Sequence, residues 1–388
     1  MTAGRSSCQV CAQEQLQEVE RFAALPRITS DCRAYSAGGH LYVCRACGAV
    51  QKLPDTAWLE EITGIYADYQ AYYQAGGDEQ IVFDRGTGKP RRRSDVLVEQ
   101  LAASKLLPDT GRALDVGCGN GATLTALSAA MPDWGLNGFE LGDSTLPRLQ
   151  KIPRFQQLYT GELGAVDASF DLVSMVHALE HFPTPHQTLR ELQPAVGSGS
   201  LFIEVCNVEE NPFDILVADH LMHFSPDTLA LLLRRAGFAT QLVSTEWVAK
   251  EISLLAQADT SGQGDAQLTR ADYAAQTYGR ISAYVDWLHG LHTAAHALAV
   301  SGQTFGVFGT SIAATWLGAQ LADQVSFYVD EDSSRIGREH LGRPIVSPAD
   351  VPRDAVVYLA LSPRIATDIA KRLAGMPFRF AMPPALLA

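Results

Sequence analysis

At 388 residues the chain is too long for one ordinary domain, and 47% hydrophobic with 19% charged residues is a globular composition. A net charge of −13 argues against binding a nucleic-acid backbone, and the apolar runs fall well short of the roughly eighteen residues that read as a membrane span. Met1–Ser7 has no apolar signal core, so a cytoplasmic protein without membrane insertion is expected, with its oligomeric state open.

Five of the seven cysteines fall in the first 47 residues. Cys8-Gln-Val-Cys11 and Cys44-Arg-Ala-Cys47 are two C-x-x-C knuckles separated by 32 residues. Each presents two thiolates to one metal, so Cys8, Cys11, Cys44 and Cys47 predict a closed, structural tetrahedral zinc site. A disulfide is the poorer reading in a reducing compartment, and neither knuckle opens a helix as a redox C-x-x-C does. Cys32 is left over, and His40 is a substitute ligand. Cys118 and Cys206 sit in core segments and read as small buried apolar residues.

Ile65–Gly77, IYADYQAYYQAGG, carries Tyr66, Tyr69, Tyr72 and Tyr73; it reads as a packing segment or as a lid that brings phenols to a substrate. A connecting segment with one basic run, Lys89–Arg93, precedes a predicted helix from Ser94 to Leu106.

Arg112–Ala122, RALDVGCGNGA, organises the rest of the chain. A buried strand (Arg112–Val116), a glycine turn and a helix with Leu124, Leu127 and Ala130 on one face explain its pattern. Glycine there lets backbone approach a ligand, and the helix start supplies unpaired N–H groups. Further strands are predicted at Gly135–Glu140, Arg154–Leu158, Phe170–Val176 and Leu201–Cys206, with two antiparallel strands over Gln241–Leu255. Strands alternating with helices predict a doubly wound sheet, whose ligands bind beyond the carboxyl ends of the strands. Asp115, Glu140, His177, Glu180 and His181 all fall at such ends, and Glu140 is placed to accept from a ribose diol. Asn211–Ser225, NPFDILVADHLMHFS, sets Asp219, His220 and His223 in an apolar stretch, where a histidine beside an acid suits a general base.

A polar linker, Asp259–Ala266, leads into a predicted helix from Leu268 to Val300. A second α/β unit follows: strand Thr304–Phe308, turn Gly309–Ser311, helix Ile312–Leu321, and strands Val325–Val329 and Ala355–Leu361. Gly306-Val-Phe-Gly309 lacks the full dinucleotide fingerprint, so packing or gripping of substrate is expected there.

LDVGCGNG, GFELG and SFDLVSMVHALEHFP, in that order and spacing, resemble the class I S-adenosylmethionine-dependent methyltransferases. The G-x-G-x-G spacing of Gly117, Gly119 and Gly121 favours that methyl donor over a nicotinamide dinucleotide. With the knuckles, CRACGAVQ, D-H-x-x-H-F-S and YVDEDSSRIGREHLGRPIV, nearly the whole chain resembles the sugar C-methyltransferases that act on nucleotide-linked deoxysugars. The resemblance implies a class I Rossmann-like α/β core at 76–258, a zinc-binding region with the tyrosine-rich segment at 1–75, and a long helix with a Rossmann-like α/β unit at 259–388. It implies S-adenosylmethionine held by Asp115, Gly117, Cys118, Gly119, Asn120, Glu140, Leu141, Glu162 and His177. It places the base and its acid on His220 and Asp219, an earlier histidine on His181, and a tyrosine on Tyr72 or Tyr73. In that family a base removes a proton beside a ketone and the enolate carbon takes the methyl group. Asp219 stands where the family has Glu, and Val217 where it has Tyr, so O- or N-methylation on the same scaffold is the alternative. A non-catalytic binding protein and a nicotinamide-dependent oxidoreductase are the competing classes; the intact glycine turn and the missing second fingerprint count against them.

Overall fold

Strand β1 (Gly111–Val116) lies in the middle of a sheet because Ala113, Leu114 and Val116 leave neither face able to meet water. The computed structural model describes residues 7–69, 79, 81–83, 90–259 and 270–386. Around β1 run β2 (Trp134–Glu140), β3 (Phe155–Thr160), β4 (Leu172–Val176), β5 (Ser200–Cys206), β6 (Phe238–Ser244) and β7 (Glu251–Ala258). Their spatial order is β3-β2-β1-β4-β5-β7-β6, parallel except for β7, which runs antiparallel to both neighbours. The chain order reverses between β1 and β4, which opens a crevice beyond their carboxyl ends. The helix after the glycine turn, Ala122–Ala130, buries Leu124, Ala126 and Leu127. Ala130, expected on that face, is exposed, because the helix stops there and Met131 takes the next core position.

The N-terminal knuckles belong to a second sheet, in which Leu16–Glu18, Tyr42–Cys44 and Val50–Gln51 are joined by Met222–His223 from the far side of the core. A third sheet forms the C-terminal unit, in the order Glu339–His340, Arg343–Val346, Phe327–Val329, Phe305–Phe308, Val356–Tyr358 and Arg379–Ala381. Helix Ala271–Ala299 ties these parts together. Its Ile281, Trp287, Leu288 and Leu291 share one buried cluster with Phe22 and Ile28, with Phe213 and Leu216, and with Phe305 and Trp316. Removing each such side chain from water contributes about 1.5–3 kcal/mol, so the segment around residue 213 is clamped from three sides. No helix among the described residues is long and apolar enough to cross a membrane.

Candidate active site

The turn after β1 holds Gly117, Gly119 and Gly121 at φ 73, 49 and 80. At Gly117 a Cβ would stand 3.0 Å from that of Ala178, so a side chain is excluded by space as well as by backbone. The turn is anchored from β2: Gly117 and Cys118 donate their N–H groups to the Phe139 carbonyl at 2.9 and 3.3 Å. Glu140, at the end of β2, accepts from the Gly119 N–H at 2.6 Å and from the Leu141 N–H at 3.2 Å. Asp115 lies beneath the turn, accepting from the Ser174 hydroxyl at 2.6 Å; burial pushes its carboxyl up to about 7. Backbone bare of side chains beside an exposed carboxyl end fits a small polar ligand such as the expected donor.

A cavity of about 1280 Å³ opens on this turn. Asp115, Gly117, Cys118, Gly119, Glu140, Leu141 and His177 all line it. Asn120 lies in the turn but does not reach the lining, and Glu162 is exposed outside it, because β3 ends at Thr160 and the chain turns away at Gly161. Those two residues thus lie off the wall that the rest of the expected donor set lines. Tyr72 and Tyr73 lie outside the described residues. Among the described residues, Tyr66, four residues beyond the buried Ile62 of helix Thr56–Ala67, brings a phenol to the cavity.

Across the cavity stand His181 and His220, their rings edge to face with centroids 4.7 Å apart. The expected pair of His220 with Asp219 is not formed. His220 Nδ1 lies 2.9 Å from Asp214 Oδ1, and His223 Nδ1 lies 2.8 Å from Asp214 Oδ2. A short helical turn at Asp214–Leu216 folds the chain back, with the His220 N–H reaching the Val217 carbonyl, so the acid six residues upstream meets the ring and the adjacent one points away. Asp219 instead accepts from Ser30 and lies 3.4 Å from His181 Nδ1. Asp214 dictates two tautomers: His220 and His223 each donate Nδ1–H to it, which leaves Nε2 of His220 as acceptor. Burial would lower His181, but its hydrogen bond and attraction to Asp219 outweigh burial and raise it. Burial sends His223 down to about 4, so it is a neutral support.

The loop that carries these groups is held by Lys52 and Trp58, which the sequence did not single out, and by Tyr66, which it did. Lys52, fully buried, donates to the carbonyls of Val217 and His220, and burial lowers its ammonium to about 7. Trp58 Nε1 donates to the Ala218 carbonyl at 3.2 Å, and the Tyr66 hydroxyl lies 3.0 Å from His181 Nδ1. Asp214 had a signal available: it is one of two acids in the largely apolar run FDILVADH. Lys52 had none.

Away from the cavity, Cys8, Cys11, Cys44 and Cys47 bring their sulfurs within 4.8 Å of one another. The Cys8–Cys47 and Cys11–Cys44 separations are 3.7 and 3.6 Å, far beyond a disulfide bond. Zinc–sulfur bonds of about 2.3 Å set tetrahedral edges of about 3.8 Å, so this donor set fits such an ion. His40 is not part of it; exposed, it pairs with Glu18 at 2.7 Å. Cys32 lies in the cavity lining. Cys206, read from sequence as apolar core, also reaches the cavity, because β5 ends there and its side chain faces the end of β7.

Residues 90–243 match the family described as a methyltransferase domain. The chain is 29% identical over 189 residues to a ubiquinone biosynthesis O-methyltransferase of Xanthomonas axonopodis pv. citri (strain 306), spanning 41% of this chain and 75% of that protein. It is 29% identical over 154 residues to the protein of the same description from Bordetella avium (strain 197N), spanning 32% of this chain and 61% of that one. Among solved structures it is similar to a SAM-dependent methyltransferase from Aquifex aeolicus, with 18% identity, TM-score 0.36, and 43% and 92% of the two chains covered. It is also similar to CalO1, a methyltransferase in calicheamicin biosynthesis, with 13% identity, TM-score 0.38, and 51% and 58% covered.

Proposed function

We propose that this chain, a SAM-dependent methyltransferase with the class I Rossmann-like fold, methylates a nucleotide-linked sugar at carbon, with His220 as general base. One observation carries the reading: His220, its Nδ1 fixed on Asp214 at 2.9 Å, lines the same cavity as the Gly117–Gly119 turn. The donor supplies a methyl group already activated on a sulfonium, so the protein's task is alignment and proton removal. His220 Nε2 takes the proton from the acceptor, and Asp214 stabilises the imidazolium that results. The electron pair left on the acceptor forms the bond to the methyl carbon, and the sulfur keeps the pair of the bond that breaks. Tyr66 and His181, hydrogen-bonded to each other, are placed to orient the acceptor oxygen.

The cavity continues past these groups to Ser311, Arg335 and Arg364 of the C-terminal unit, which suits an acceptor with a remote anionic end. The proposed organisation is a zinc-holding region at 1–75, the methyltransferase core at 76–258 and a substrate-gripping unit at 259–388. Cytoplasmic residence is part of the proposal, since the Cys8, Cys11, Cys44 and Cys47 sulfurs are spaced for a metal and not for disulfides. A second reading, O-methylation with the same base, is favoured by the O-methyltransferase descriptions of the two relatives.

The two readings part in heavy water. Transfer to carbon requires prior removal of a C–H proton, so the wild type should place deuterium beside the ketone of a nucleotide-linked keto sugar without donor, and His220→Ala should not. Mass spectrometry of complete reactions with keto and amino sugar nucleotides should then show a methyl gain. Methylation without deuterium uptake selects the oxygen reading; no methylation of any sugar nucleotide by a protein that binds S-adenosylhomocysteine overturns the sugar assignment.

A further inference from the structure

At the carboxyl end of β4 the backbone is forced into the left-handed region at His177, φ 50, a conformation that a residue with a side chain adopts at a cost. The strain aims the ring into a group of acidic side chains from the ends of β5 and β7. His177 Nε2 stands 3.8 Å from Glu204 Oε1 and 3.6 Å from Glu251 Oε2. Cys206 Sγ joins His177 and Glu251 in a set whose ligand atoms all lie within 4.8 Å of one another. These residues line the cavity, apart from Glu204, which is fully buried behind them.

Three of the facing atoms, His177 Nε2, Glu204 Oε1 and Glu251 Oε2, are buried without a hydrogen-bond partner. Leaving such groups unsatisfied is costly, all the more for carboxylates. A proton shared between imidazole and carboxylate would draw one pair to about 2.7–2.9 Å. Here the ring is drawn to neither acid. The spacing is instead that of ligands set around a cation bound at about 2.0–2.3 Å. The surroundings fit as well. His177 Nδ1 lies 3.3 Å from Glu180 Oε1, so a carboxylate stands beside the ring nitrogen that faces away from Glu204 and Glu251. Ser253 lies 3.4 Å from the other oxygen of Glu204, which leaves Oε1 turned toward the ring.

We propose that His177, Cys206 and Glu251, backed by Glu204, form a second metal site for a zinc-type divalent cation, open to the cavity and distinct from the four-cysteine cluster. Imidazole, thiolate and carboxylate together suit zinc and its neighbours rather than magnesium or calcium. Three protein ligands with an open position is the pattern of a metal that meets a substrate. Binding releases the Cys206 thiol proton, and that of His177 when it is protonated, to solvent; no electron is transferred. The open position faces the acceptor space, so the ion would hold an acceptor oxygen beside the donor turn. That last role rests on the methyl-acceptor reading above; the binding of the ion does not.

The test is cobalt(II) titration of the metal-stripped full chain, followed by the thiolate-to-cobalt charge-transfer band and by elemental analysis. The readout is the Cys206-dependent equivalent. The wild type should take one cobalt more than Cys206→Ala, and Glu251→Gln should weaken that equivalent by tenfold or more. Calorimetry with S-adenosylhomocysteine checks that each variant is folded, and Glu251→Gln serves if Cys206→Ala is not. Equal cobalt uptake by wild type and folded variants overturns the site, while retained S-adenosylhomocysteine binding leaves the methyltransferase assignment standing.

Discussion

His220 and Asp214 act as one unit, and single substitutions separate their parts. Loss of a positioned general base costs roughly 10²–10⁴-fold in rate, so His220→Ala should reduce turnover by that factor while S-adenosylhomocysteine affinity is nearly unchanged. Asp214→Asn should also slow turnover, because the ring loses the charge that stabilises its protonated form. Asp219→Asn should do less, since that acid serves His181. Single-turnover rates of the three variants check the ranking; a greater loss in Asp219→Asn would move the base to His181. The His181–Asp219 pair also predicts a pH-dependent stability. Raised in the folded chain, the His181 imidazolium stabilises fully below its unfolded value of about 6.5, and this is lost as pH rises through the raised value. Asp219, held well below the usual range even against burial by its bond and attraction to His181, contributes above about 3.9 and loses its contribution as pH falls through the lowered value. The pair is therefore fully effective between about pH 4 and about pH 6.5. Urea unfolding should show the gap between wild type and Asp219→Asn at its widest there and narrower above it; a gap independent of pH would contradict the pairing.

Among the elements, the short strand Met222–His223 couples the four-cysteine cluster to the cavity. It pairs with Val50–Gln51, the strand that follows the second knuckle, and the Lys52 N–H continues the contact to the Leu221 carbonyl at 2.8 Å. Zinc bound by the four cysteines would hold that hairpin and, through it, the His220 loop. Cys44→Ser should lower zinc content and thermal stability, and should slow turnover more than it weakens donor binding. Unchanged stability in a zinc-free variant would remove the structural role. This coupling marks the limit of what the sequence made legible. The glycine turn, the five parallel strands up to Cys206 and the polar residues at their ends follow from local pattern and lie within a residue or two of expectation, while the two antiparallel strands begin and end three residues outside the expected Gln241–Leu255. The partner of His220 does not follow, because a three-residue helical turn decides which acid the ring meets. Nor does a two-residue strand that joins a distant sheet, which carries almost no periodicity of its own.

At the scale of the molecule, one cavity is walled by all three regions: Ser30 and Tyr66 from the N-terminal part, the donor turn and His220 from the core, and Arg364 from the C-terminal unit. A volume of about 1280 Å³ exceeds the roughly 300–1,000 Å³ of a typical small-ligand pocket, so it has room for a donor and an extended acceptor together. The cations of the C-terminal wall differ in availability. Arg335 is buried beside Asp330 and Asp332, and Arg372 is bound to Glu331. Arg364, on helix Pro363–Arg372, is exposed and has no ion pair among the described residues. If the acceptor carries a diphosphate, Arg364 is the charge free to meet it. An exposed ion pair is worth about 0.2–1 kcal/mol, and reversal of the charge replaces attraction with repulsion of similar size. Arg364→Glu should then raise the acceptor KM roughly three- to tenfold, at about 1.4 kcal/mol per decade. Donor affinity and kcat should stay near wild type, because Arg364 belongs to the C-terminal wall of the cavity, and the glycine turn and His220 to the core wall. The effect should shrink as salt is added, since the contact is open to solvent. An unchanged KM at low salt would mean that the C-terminal unit packs against the core without gripping the acceptor, and the anionic end of the substrate would have to be sought elsewhere.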